Sequence, residues 1–223
     1  MQRHPLIDAR RYAFVIFLLA AIYAWTSAWA GEHESGLISA AGSGDLARVR
    51  AMLKSGTNVN AKAGDGVTAL IAASDSGYED VVQLLLSAKA DINARTSNGV
   101  SALMRAAQRG HAQVVKELLA AGADLNARKN DGATVLMQAS QEGRGDVIRT
   151  LLAAGADVNA RLSNGATALM LAAQVGQTGA IRALLTGKAD VNAKAENGAT
   201  ALMIASKYRH QEAANVLKEA GAK

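Results

Sequence analysis

The chain of 223 residues contains no cysteine. That excludes disulfides, thiol nucleophiles and cysteine-ligated metal centres together. An exported fold below about 80 residues commonly needs disulfide staples, whereas a longer chain buries enough apolar surface without them. Aromatic residues make up 4% of the sequence, too few for a platform on which single-stranded nucleic acid would stack. Strong charge is missing as well: 24 Lys and Arg stand against 19 Asp and Glu, for a net +5. Arg3, Arg10, Arg11 and Asp8 supply +2 of this, so residues 31–223 carry +3, too little by itself to argue for a nucleic-acid partner. No Ser/Pro-rich linker or low-complexity run interrupts the chain after residue 31, which reads as one continuous domain.

What is present is a unit of 33 residues repeated six times without insertion or deletion. Leu37, Leu70, Leu103, Leu136, Leu169 and Leu202 mark its register, and Ser35, Thr68, Ser101, Thr134, Thr167 and Thr200 stand two positions before them. A fixed period in this range marks a stacked array in which each unit packs on its neighbours. Such arrays are usually binding surfaces.

Ahead of the repeats lies a leader. Residues 1–11 carry three arginines, Tyr12 to Ala30 is uncharged and strongly apolar, and Ala28-Trp29-Ala30 closes the segment before the polar Gly31-Glu32-His33-Glu34. Basic start, apolar middle and small-x-small end predict a secretory signal peptide over residues 1–30, cleaved after Ala30. The alternative is an uncleaved anchor, since nineteen uncharged residues are about long enough to span a bilayer. Arg10-Arg11 evokes a twin-arginine signal, but its flanks fit that pattern poorly.

Within a unit, Asp65-Gly66 is a turn signal, because Gly accepts the positive φ that a hairpin turn needs. Thr68 then stands where a first helix starts, and its hydroxyl can cap the free amides there. The same role is predicted at all six hydroxyl positions, each worth about 1 kcal/mol against Ala. Gly77, with Gly44, Gly110, Gly143 and Gly176, separates the first short helix from the second; Arg209 breaks the column. Val82 and Leu85-Leu86 give the second helix its apolar side, repeated at Val115, Ile148 and Ile181 and in the later leucine pairs. Helices under about 12 residues are marginal alone, so the neighbouring unit must cover them. Truncating Leu136 in the middle should cost about 2–5 kcal/mol. At the ends, Arg48 enters the column of Val81, Val114 and Val147, while Ala213, Ala214 and Lys218 replace larger apolar residues, as capping units of a complete six-unit array would.

Each unit closes with Ala90-Asp91-Ile92-Asn93-Ala94 or a near copy, such as Ala156-Asp157-Val158-Asn159-Ala160. Together with the [Asp/Asn]-Gly-x-[Ser/Thr]-x-Leu-x-x-Ala-Ala run and the central Gly, this resembles the ankyrin repeat over residues 32–223. The resemblance implies an all-α repeat: an ankyrin solenoid of six helix-turn-helix units with β-turn fingers, the units running at about 32–64, 65–97, 98–130, 131–163, 164–196 and 197–223. The family's Thr-Pro-Leu-His run is departed from: Thr68-Ala69-Leu70-Ile71 and its copies have neither the Pro nor the His. Ile71, Met104, Met137, Met170 and Met203 fill the His position, and the four methionines are expected to form a packed core column. Lys89 and Lys188 stand where Gly56, Gly122 and Gly155 follow the second helix, a costly exchange if the site is left-handed.

Chemistry is hard to place on this pattern. His111 and His210 share one repeat position, the signature of a structural role, while His4 and His33 fall before the first helix. Gly42-Ser43-Gly44-Asp45 and Gly187-Lys188-Ala189 lack phosphate-loop spacing, and neither a Gly-x-Ser-x-Gly elbow nor His-Glu-x-x-His occurs. The Asp column (Asp91, Asp124, Asp157, Asp190) offers one carboxylate per unit, which cannot gather the 6–8 oxygens of a calcium site, so it reads as turn capping. No catalytic residues, cofactor or metal are expected, and the chain reads as a non-enzyme.

A partner has two places to bind. After each Asn-Ala stands a base, Lys62, Arg95, Arg128, Arg161 and Lys194, with Lys129 beside the third. Stacked units would align these into a ladder that draws in an acidic protein face. The alternative is five solvated loop residues, each partly neutralised by the Asp four positions earlier. By resemblance to the family, partners touch the finger tips and the first helices on the concave side, which here means Gln108, Arg109, Gln141, Glu142, Gln174, Val175, Lys207 and Tyr208 among others. The column Ala72, Arg105, Gln138, Leu171 and Ile204 varies where its neighbours do not, and puts Arg105 and Gln138 in the central units.

The expected function is a monomeric, non-enzymatic protein–protein interaction adaptor in the bacterial cell envelope, most naturally periplasmic. It would bind another protein, with no nucleic acid and no membrane contact beyond the leader. The alternatives are a secreted or host-directed effector using the same surface, or a scaffold tethered by an uncleaved leader.

Overall fold

The computed structural model describes residues 35–223; the leader, His4 and His33 lie outside them. The described chain is a row of helix pairs. Unit one pairs α1, described over residues 35–42, with α2 (Leu46–Lys54), and unit two pairs α3 (Ala69–Ser76) with α4 (Glu79–Ser87). Then follow α5 (Ala102–Arg109) with α6 (Ala112–Ala120), α7 (Val135–Gln141) with α8 (Gly145–Ala153), α9 (Ala168–Val175) with α10 (Thr178–Thr186), and α11 (Ala201–Lys207) with α12 (Gln211–Glu219). First helices pack on first helices from α3 through α11, and second helices on second helices from α2 through α12. This is the stacked all-α solenoid that the period implies.

The hydroxyl column caps as its spacing predicts. Thr68, Thr134 and Ser101 each accept the amide of the third following residue at 3.3 Å, and Thr167 and Thr200 do the same. Ser35 differs, being itself helical within α1 rather than flanking it. The fingers between pairs are hydrogen-bonded turns, as where Thr96 N–H donates to Val100 O at 3.0 Å and Gly99 N–H to Thr96 O at 2.9 Å. Extended pairing among the described residues is confined to single bridges, Arg95 with Ser101, Arg128 with Thr134 and Arg161 with Thr167. Gly66, Gly99, Gly132, Gly165 and Gly198 at the tips all take positive φ.

Between the layers runs one apolar core. Leu85, Leu118, Leu151 and Leu184 of the second helices are fully buried, as are Leu70, Leu103, Leu136 and Leu169 of the first. Burying a Leu side chain contributes roughly 1.5–3 kcal/mol, and each of these is covered from the next unit. Met104, Met137 and Met170 join the core as expected. Met203 does not: it is 55% exposed, because among the described residues no further first helix packs on the far side of α11. The last unit is therefore polar on its second helix, where Lys218 is exposed, and apolar on its first.

Two backbone features complete the stack. Lys89 and Lys188 are left-handed, with φ of 66° and 65°, at the position that Gly56, Gly122 and Gly155 occupy. Second, the residue before each later second helix makes no side-chain cap to that helix and reaches back one unit instead. His111 Nε2 lies 3.0 Å from Asp75 O, Arg144 Nε donates to Gln108 O at 3.0 Å, and His210 Nε2 lies 3.0 Å from Gln174 O. Each staple crosses the positive-φ glycine of the preceding unit. The structural reading of His111 and His210 is thereby given a mechanism.

Candidate functional site

The residues nominated for partner contact form two groups, a ladder of bases along the fingers and a set of side chains on or beside the first helices. Along the fingers, Lys62, Arg95, Arg128, Arg161 and Lys194 are all exposed and stand in register. Their register comes from bonds between fingers: Arg95 Nη2 donates to Arg128 O, Arg128 Nη1 to Arg161 O at 3.2 Å, and Arg161 Nη2 to Lys194 O. Arg128 Nη1 also donates to Gly132 O in its own finger at 2.9 Å. The arginines are thus struts as well as charges.

No direct ion pair neutralises this ladder. Among the described residues none of the five bases lies within 4.0 Å of a carboxylate. The Asp column is otherwise engaged, since Asp91, Asp124, Asp157 and Asp190 each accept the amide two residues on, at 2.9–3.0 Å. Asparagines bind the next unit: Asn60 Oδ1 accepts Asp91 N–H at 2.7 Å, and Asn93 and Asn159 repeat the bond. Turn capping was the correct reading of the aspartates. Lys129, beside the third rung, pairs with Asp131 at 2.9 Å. The Asp131 carboxyl is held below its usual range, chiefly by the Ala133 amide and next by Lys129.

On the first helices the charged patch is more tightly tied than the sequence indicates. Arg109 binds Asp75 of the preceding unit through Nε and Nη2, at 3.1 and 3.3 Å. Arg105 Nε is 3.9 Å from the same carboxylate, and its Nη1 donates to Gln108 Oε1 at 3.4 Å. The hydrogen bond that Arg109 donates to Asp75, and then the Asp75 charge, raise the Arg109 pKa above the ordinary guanidinium value. Around these three side chains opens a hollow of about 370 Å³, walled also by Val67, Ala72 and Ser76. Gln138 is half-buried, with Oε1 shielded from solvent and without a hydrogen-bond partner among the described residues. Gln141, Glu142 and Gln174 are exposed on the same face.

Farther along the face, its character changes. Leu171 and Gln174 of α9, Met203, Ile204 and Lys207 of α11, and Tyr208 line a hollow of about 290 Å³, closed by fingers carrying Asn164 and Asn197. Sequence reasoning nominated Tyr208 by resemblance and singled out Ile204 by its column, but assigned Met203 to the core. The available signal was its place in the last described unit, where no further described first helix covers it.

A repeated helix pair, a capped β-turn finger and one continuous face are the architecture of a known family. The family model for ankyrin repeats matches three times, over residues 9–96, 90–161 and 158–223. The chain belongs to the ankyrin repeat family. No curated protein matches it. Ankyrin repeats are protein–protein interaction modules, typically non-enzymatic scaffolds, and this ankyrin array presents such a module. Among the described residues, no group of three or more His, Asp or Glu is placed to hold a metal ion, and no helix is long and apolar enough to cross a membrane.

Proposed function

We propose that this ankyrin array is a non-enzymatic adaptor of the bacterial cell envelope, working in the periplasm as a monomer, which holds another exported protein against its fingers and first helices. The basic, apolar and Ala-x-Ala parts of residues 1–30 support export. The binding reading is carried by one observation: the ladder bases remain without a carboxylate partner among the described residues, on a face whose stacking bonds hold them in line. Fixed like charges of this kind speed encounter with an acidic surface and lose that effect as salt rises. The varied side chains of Arg105, Gln138 and Leu171 on the first helices then supply discrimination.

Affinity capture from an envelope extract at low and moderate salt tests the proposal. Lys62→Glu with Lys194→Glu is the informative variant, because Arg95, Arg128 and Arg161 also brace the fingers. The expected result is a partner retained by the natural protein and held more weakly in salt and by the variant. A mature mass beginning at Gly31, in the periplasmic fraction, is expected alongside. Recovery in the medium, with no envelope partner, would replace the adaptor by a released effector; an intact N-terminus would make it a tethered scaffold.

A further inference from the structure

The hollow between α9 and α11 has features that the rest of the binding face lacks. Met203, Tyr208 and Val175 are 55%, 48% and 43% exposed at this end of the face, whereas the equivalent Met170 one unit earlier is 1% exposed. Leu171 and Ile204 form the floor between them. At about 290 Å³ the hollow lies near the lower limit of small-ligand pockets, roughly 300 Å³, a size that suits one or two large side chains rather than a folded surface. Tyr208 has two ring neighbours: Lys207 Nζ sits 5.7 Å from its ring centre and the His210 ring stacks at 6.4 Å. His210 Nε2 lies 3.0 Å from Gln174 O, which ties the ring beside Tyr208 to the preceding unit.

The rim specifies the occupant. Lys207 is the one charged residue of the lining, and no carboxylate among the described residues lies within 4.0 Å of it. Asn164 and Asn197 spend their carbonyl oxygens on Ala166 and Ala199 N–H, both at 3.1 Å, which leaves their amide NH₂ groups as donors. A cation and side-chain donors around an apolar floor complement an acidic group beside an apolar one, and repel a basic segment. We infer that this hollow is the anchor pocket for an extended peptide segment of the partner protein, carrying a large apolar side chain next to an Asp or Glu side chain. The inference rests on the reading of this face as a protein-binding surface and names the chemistry that the surface selects.

The six methionines allow a site-specific test. The probes are random dodecapeptides displayed with both ends blocked, selected on the full chain and then titrated into full chain labelled with methyl-¹³C methionine. Selected peptides should be enriched in Leu, Ile, Phe or Met beside Asp or Glu, and should shift the Met203 methyl while leaving Met52 and Met104 in place. Met203→Glu should weaken binding at least tenfold and Lys207→Glu should also weaken it. Lys207→Arg should retain it, all with melting curves like the parent. Absence of an acidic–apolar pair among binders, or shifts at Met104 without Met203, would overturn the inference. So would a Met203 shift produced by phosphatidylcholine/phosphatidylglycerol vesicles but not by peptides, or by raising the protein concentration alone. An envelope partner captured equally by the parent and by Met203→Glu would discard the pocket and keep the adaptor; capture of nothing by the parent would discard the adaptor.

Discussion

Arg109 on α5 grips the Asp75 carboxylate at the end of α3, Nε to Oδ1 at 3.1 Å and Nη2 to Oδ2 at 3.3 Å. The bond joins two consecutive units on the surface proposed to meet a partner, so the same side chains would serve stability and recognition. Exposed pairs contribute little, and the Arg109 side chain is 56% exposed. Arg109→Ala and Asp75→Ala should each lower Tm slightly, non-additively, and by less as salt rises. Reversing both Arg105 and Arg109 to Glu would crowd new carboxylates against Asp75 and Glu142, confounding folding with binding. Arg105→Gln with Arg109→Gln separates them: capture should fall sharply while the melting curve moves little. Unchanged capture would remove this patch from the binding face.

Gly77 has φ of 81°, and a methyl on it would lie 2.4 Å from His111 Nδ1. Gly77→Ala should therefore cost about 1–3 kcal/mol in urea unfolding, part backbone strain and part collision. Adding His111→Ala should return only the collision part. Gly56 is the control, with φ of 88° and nothing within 4 Å of the added methyl, so Gly56→Ala should show backbone strain of roughly 1 kcal/mol alone.

Lys89 and Lys188 bear the same strain in the natural sequence, at φ of 66° and 65°. Lys89→Gly and Lys188→Gly should each raise stability by about 0.5–1 kcal/mol, the relief of left-handed strain less the extra freedom of Gly in the unfolded chain. Lys89→Ala, which keeps the strain, should give no gain. A fall in Tm on Lys89→Gly would show that the Lys side chain contributes more than its backbone costs.

Asp131 titrates below its ordinary value because the folded finger donates hydrogen bonds to the carboxylate. A folded pKa below the unfolded one gives stability that is present above the unfolded value of about 3.9 and is lost as pH falls through the folded value. Carboxyl ¹³C titration should place its midpoint below that of an unfolded Asp. Lys129→Met should move it only partway back, since the Ala133 amide is the larger cause. Asp131→Asn preserves the turn, as Asn164 and Asn197 do in other fingers, and should flatten the loss of stability as pH falls below the ordinary Asp value of about 3.9.

Much of the fold was legible because the stacking geometry repeats. Thr68, Leu70 and Val82 each recur at the same offset, and each repetition meets the same neighbours, so one unit interpreted correctly interprets five. The His111 and Arg144 staples were not legible. They share no chemistry, only a position from which a long side chain reaches the previous helix end. The ladder was legible as charge but not as structure, because a guanidinium's use of a carbonyl in the next finger leaves no mark on the local sequence.

The sequence by itself determined the period, the helix boundaries, the buried leucines and the membership of the ankyrin repeat family, all of which follow from local capping, turn and burial rules that operate within 33 residues. Only the tertiary structure decided which surface groups were already engaged. Asp75 takes Arg109 and the ladder arginines take neighbouring carbonyls, whereas Lys207 lies against the Tyr208 ring and has no carboxylate partner among the described residues. It also decided that Met170 and Met203, alike in sequence, differ in exposure, because burial depends on what the next unit covers and, among the described residues, no first helix packs on the far side of α11.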